Sequence, residues 1–218
     1  MNKIIVIIFL IISQTSFGQR NNVKVDFTYL TLGTLSDEMG RTIITANDDK
    51  IDSYYKREEN LTQFLFENLK SDYQDLEKDD INNLLNSKKL SKKLNLFYSF
   101  EYDNLLTNEK YDSIFIGKLN SLKINTKIKQ LSFISGVFIR NGVITNNQYK
   151  IQLFNSTSKY LVCEEILKKL KCKNVKVEVI EAIPYNNIVY FEPSKELLTY
   201  IKKYENLTLQ NNLNSIEK

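Results

Sequence analysis

Hydrophobic and polar positions follow two periods along this chain, and the places where the period changes mark out its elements. Val23-Lys24-Val25-Asp26-Phe27-Thr28-Tyr29 alternates apolar and polar, the pattern of a half-buried strand. The phase slips at Leu30-Thr31-Leu32, as it does at a bulge or in a strand buried on both faces. Residues 36–40 read as a turn and 41–46 as a returning strand. From Asn60 the period lengthens, and Leu61, Phe64, Leu65 and Leu69 share one helical face. A second helix is expected at Ile81, Leu84 and Leu85, capped by Asp79-Asp80, with Lys88 to Lys93 continuing it or following as a basic loop. Residues 96–102 and 113–119 favour strands.

In residues 131–154 two apolar runs flank Asn141-Gly142, a pair that tolerates positive φ and so predicts a tight hairpin. Residues 158–170 read as a helix, with Tyr160, Cys163, Leu167 and Leu170 on one face. Val175, Val177 and Val179 alternate with charges as a strand; residues 188–191 are its partner, and Pro193 opens a last helix. Blocks of strands and helices joined by short turns predict an α+β fold, a mainly antiparallel sheet with about four helices packed against it. One globular domain, residues 19–206, is expected, followed by a polar, frayed tail at 207–218.

The N-terminus has a different pattern. Lys3, the unbroken apolar run from Ile4 to Ile12 and the exit Ser16-Phe17-Gly18 make up the three parts of a secretory signal peptide over residues 1–18. Nine apolar residues are too few for the roughly 20 a bilayer-spanning helix requires, so no membrane span is expected after cleavage. The expectation is an exported bacterial protein, periplasmic or secreted.

Composition narrows the chemistry. The chain has no His, which removes Ser-His-Asp and Cys-His catalysis and His-ligated zinc. It has no cofactor motif, and none is expected. Lys outnumbers Arg 26 to 4, a skew that AT-rich coding DNA produces. Residues 19–80 carry 8 Lys/Arg against 14 Asp/Glu, and residues 81–218 carry 21 against 12, so the two parts differ in sign.

Candidate sites follow from these residues. Cys163 and Cys172 suggest a disulfide in an exported chain. Nine helical steps would hold their Cα atoms about 13 Å apart, against the ~4.4–6.8 Å a bridge allows, so the pair is also read as two thiols. Ser53/Lys56 and Ser156/Lys159 have the S-x-x-K spacing of serine acylases, at a frequency that chance explains. Glu38, Glu101, Asp103 and Glu181 lie near sheet ends, but nothing pairs them as an acid and a base. The acidic run from Asp72 to Asp80 lacks the glycine turn of a calcium loop. Lys88, Lys89, Lys92 and Lys93 would form one basic face if helical, and Lys168 and Lys169 anchor a second cluster suited to an anionic partner. The leading expectation is a non-enzymatic binding module of the cell envelope, with an envelope protein or anionic polysaccharide as partner. Nucleic acid is not expected, given the export signal and scarce Arg. The alternatives are a carboxylate-dependent hydrolase lacking His and an inhibitor or immunity-type protein presenting the loop at 36–40.

Overall fold

A computed structural model describes residues 23–43, 49–102 and 114–208. Residues 1–18, expected as a signal peptide, Asp103 and the tail from residue 209 lie outside the described residues. The helices are α1 (Phe27–Thr34), α2 (Glu59–Leu69), α3 (Lys88–Asn95), α4 (Lys127–Asn141), α5 (Lys159–Lys169) and α6 (Lys195–Lys203). The strands of the first part are β1 (Arg41–Ile43), β2 (Lys50–Ser53), β3 (Glu77–Asp79), β4 (Leu84–Asn86), β5 (Tyr98–Tyr102) and β6 (Phe115–Leu119). Those of the second are β7 (Gly142–Thr145), β8 (Gln148–Phe154), β9 (Lys173–Ile180) and β10 (Asn186–Glu192). They form three antiparallel sheets, ordered β1-β6-β5, β7-β8-β10-β9 and β2-β4-β3. The fold is α+β with antiparallel sheets, as the alternation of blocks predicts.

The order of elements repeats. α1, β1, α3 and the hairpin β5–β6 match α4, β8, α5 and the hairpin β9–β10 in sequence order and in sheet order. The third sheet and α2 are inserted between β1 and α3 of the first unit, and β7 is added to the edge of the second. This repeat left no visible trace in the residue pattern.

The two units meet through α1 and α4. A Cβ at Gly33 would collide with the Phe133 carbonyl oxygen and the Val137 nitrogen, and one at Gly136 with the Leu30 carbonyl oxygen. Bare backbone therefore faces bare backbone at the crossing. Both helices are buried on nearly every side: Tyr29 to Thr34 in α1 and Gln130 to Ile139 in α4. That burial explains two departures from expectation. A helix with no solvent face shows no 3.6-residue alternation, so the α1 segment reads as a strand and α4 as half of a hairpin. The capping residues do give α1 and α4 away. Asp26 accepts from the Thr28 and Tyr29 amides at 3.1 and 3.3 Å, and Thr126 accepts from the Lys129 amide. Asn141-Gly142 is the junction where α4 runs directly into β7. The hairpin turn is Asn146-Asn147, both residues at positive φ (51° and 60°).

Asp79 does not cap a helix either. It accepts from the amides of Ile81 and Asn82 in the β3–β4 turn, and Ser87 is the true cap of α3, accepting from the Leu90 amide at 3.0 Å. Residues 205–208 add one more helical turn after α6.

Candidate functional site

The C-terminal ends of α1 and α4 lie beside each other, and the charges around them are fully engaged. Arg140, in the last turn of α4, uses all five guanidinium N–H donors. Nε donates to Glu58 Oε1 at 2.9 Å, and Nη1 to Asp52 Oδ2 and the Thr34 carbonyl, both at 2.6 Å. Nη2 donates to the Ser53 carbonyl at 2.8 Å and Glu58 Oε2 at 3.2 Å. The Tyr54 ring lies 4.6 Å from the guanidinium carbon. Burial pulls the Arg140 pKa down, but Asp52 and Glu58 more than restore it, so the group stays cationic. Arg140 thus ties the inserted sheet to the central helix pair.

A second, reciprocal lock joins α1 to α5. Buried Asp37, just past α1, accepts from the Ser158 and Lys159 amides at 2.8 Å each and from Ser156 Oγ at 2.7 Å. Lys159, the first residue of α5, returns its ammonium to the carbonyls of Gly33 (3.1 Å) and Leu35 at the end of α1. Each helix end supplies the group the other lacks, positive charge at a C-terminus and negative at an N-terminus. Complete burial lowers the Lys159 pKa to about 8, with Asp37 opposing the shift. The Ser156/Lys159 spacing therefore makes no acylase pair, because each side chain is bonded elsewhere.

Above these locks opens a cleft of about 490 Å³, set between the loop after α1, the α4–β7 junction, β8 and the inserted segment. Its lining includes Glu38, Tyr55, Asn141, Gln152 and Phe154. Gln152 and Phe154, two apart on β8, stand on the same face of the sheet. Glu38 accepts from Asn155 Nδ2 at 3.3 Å. The side-chain amides of Asn141 and Gln152 have no hydrogen-bond partner among the described residues. The loop at 36–40 does not protrude as an inhibitor loop: Asp37 is buried, and Glu38 bridges to Ser156.

The other sequence candidates separate cleanly. Lys88, Lys89, Lys92 and Lys93 are exposed on α3, opposite the buried Leu90 and Leu94, and none forms an ion pair among the described residues. Asp75 accepts the Lys89 amide at 3.0 Å, and that bond and nearby Ser87 hold its pKa below the usual carboxylate value. Lys168 and Lys169 are instead paired along α5 with Glu164 and Glu165, at 2.6 and 2.5 Å. Cys163 and Cys172 are both free thiols, the first wholly buried with its pKa pushed up to about 12 by desolvation. Glu101 pairs with Lys118 at 2.7 Å, Glu181 is exposed and makes no ion pair among the described residues, and Asp80 pairs with Lys78. No group of three or more Cys, Asp or Glu that could hold a metal ion occurs among the described residues. Nor is any helix there long and apolar enough to cross a membrane.

Sequence reasoning missed Arg140 and Asp37, and read Lys159 only in a chance S-x-x-K spacing. The signal for Arg140 was present: one of only four Arg in the chain sits at the end of the apolar run from Phe133 to Ile139. Asp37 and Lys159 are 122 positions apart, and no local pattern connects them.

No family model matches the chain, and no curated protein matches it. Among solved structures it is similar to mesophilic variants of the homing endonuclease I-DmoI, with 9% identity over 81% of this chain and 93% of that one and a TM-score of 0.42. It is also similar to the N-terminal LAGLIDADG domain of DUF199/WhiA, with 15% identity over 84% and 83% and a TM-score of 0.41. A third is full-length DUF199/WhiA from Thermatoga maritima, with 16% identity over 88% of this chain and 63% of that one and a TM-score of 0.42. Three expectations do not stand beside these neighbours. The exported envelope binding module is withdrawn, and the inhibitor alternative falls with the buried loop at 36–40. Also withdrawn are the expected signal peptide and export, and the exclusion of nucleic acid as a partner in favour of an envelope protein or polysaccharide.

Proposed function

We propose that this chain binds nucleic acid through the lysine face of α3. One observation carries the reading: four lysines at i, i+1, i+4 and i+5 project from one side of a capped helix, fully solvated and without ion pairs among the described residues. The contrast with α5 gives it weight, since there the adjacent lysines are neutralised by glutamates one turn earlier. A lysine ammonium is a mobile point charge that suits a phosphate backbone without reading sequence. Each phosphate neutralised releases condensed counterions, so four contacts give a log–log salt slope of about −3.6 on duplex DNA.

The test is fluorescence anisotropy of a labelled duplex titrated with the protein between 50 and 200 mM salt, roughly the range over which counterion release is read. Replacing Lys88, Lys89, Lys92 and Lys93 by Ala leaves helix propensity intact. It is expected to weaken binding at least tenfold at the lower salt and to flatten the slope by about 3.6. A variant that binds as tightly as the parent, with the same circular dichroism, would remove α3 as the contact surface.

A further inference from the structure

Charge at the cleft floor is already spent. Arg140 is saturated by Asp52, Glu58 and backbone carbonyls, and Asp37 by the start of α5. The other cation in the lining, exposed Arg57, lies with its guanidinium over the Tyr55 ring, 4.9 Å from the centroid. Beside it the cleft offers two amides without partners among the described residues, Asn141 and Gln152, one carboxylate that accepts, Glu38, and the exposed ring of Phe154. Its volume of about 490 Å³ lies within the ~300–1,000 Å³ of small-ligand sites. The matching ligand is planar and edged with hydrogen-bonding groups.

We infer that the cleft receives a single unstacked nucleobase. The base stacks on Phe154, and its edge is read by Gln152, Asn141 and Glu38. Asn and Gln amides pair with bases through matched donors and acceptors, and aromatic side chains hold bases by stacking whatever the sequence. Glu38 adds selectivity. Its carboxylate accepts from an exocyclic amine, which adenine and cytosine present and thymine does not. Gln152 and Phe154 lie on one face of β8, so stacking surface and reading group come from one rigid strand. The inference rests on the proposed nucleic-acid function, but it concerns unpaired bases at the cleft rather than phosphates at α3.

Two titrations separate the claims. Labelled single-stranded dA, dC and dT oligomers of equal length are titrated with parent protein, Phe154→Ala, Glu38→Gln and the four-lysine variant. Adenosine, which carries no phosphate, is titrated separately and followed by backbone NMR shifts. The parent is expected to bind dA and dC about tenfold more tightly than dT. Phe154→Ala, at a half-exposed position, is expected to weaken dA binding by roughly 5- to 100-fold. Glu38→Gln abolishes the preference over dT, whereas the four-lysine variant lowers all three oligomers alike and keeps it. Adenosine shifts the residues of the cleft. Equal affinity for the three oligomers, with no response to Phe154→Ala, overturns the base site even if the lysine variant still loses binding. Adenosine shifts at the cleft without oligomer binding uphold the base site and overturn the polyanion reading.

Discussion

At the scale of single residues, the structure's polar interior depends on two cations with different chemistry. Arg140 is held by two carboxylates, two carbonyls and a ring face, a planar match that Lys does not reproduce. Arg140→Ala leaves Asp52 and Glu58 buried without a counter-charge. It is expected to cost about 3–5 kcal/mol in urea unfolding, and Arg140→Lys to recover only part of that. Lys159 behaves otherwise. Its folded pKa of about 8 lies below the ordinary 10.5, so between these pH values the unfolded chain binds more protons than the folded one. Stability from this group therefore rises as pH increases through that window, and is lower below pH 8. Cys163 opposes it, because a thiol pushed up to about 12 ionises first in the unfolded chain and favours unfolding at high pH. Comparison with Lys159→Met isolates the lysine: the parent's stability relative to that variant should grow from pH 7.5 to 10. A constant difference across that range would mean the Lys159 pKa is not lowered.

At the scale of elements, the α1–α4 crossing sets the strictest demand on the sequence. Gly33→Ala and Gly136→Ala each place a methyl group against backbone atoms that cannot rotate away, and each is expected to cost about 3 kcal/mol or more. Gly117→Ala meets only the ring of Phe100, a side chain that can move, and should cost about 1 kcal/mol. Thermal unfolding of the three variants ranks them directly. The elements most legible in the sequence were those half exposed to water. α2, α5, α6 and the β9–β10 hairpin each carry an apolar stripe or alternation that can be read without a structure. α1 and α4 were misread because complete burial erases that contrast, leaving only Asp26 and Thr126 as markers. The α3 lysines were legible as a patch, because four like charges at helical spacing are a local signal. The cleft was not, because Glu38, Asn141 and Gln152 come together only when the two repeated units pack.

At the scale of the whole molecule, the two units share one core that runs through α1 and α4 rather than two cores joined by a linker. Unfolding should therefore be a single transition, with far-ultraviolet circular dichroism and tyrosine fluorescence coinciding across the urea range. Separate midpoints would show that the units unfold independently. The mutual capping by Asp37 and Lys159 carries this coupling to the ends of the helices, which in most proteins are the first parts to fray. Here the end of α1 cannot loosen without unmaking the start of α5, and the converse holds. The amides of Ser158 and Lys159, which would ordinarily exchange their protons with solvent within the first local openings, should exchange only when the whole chain opens.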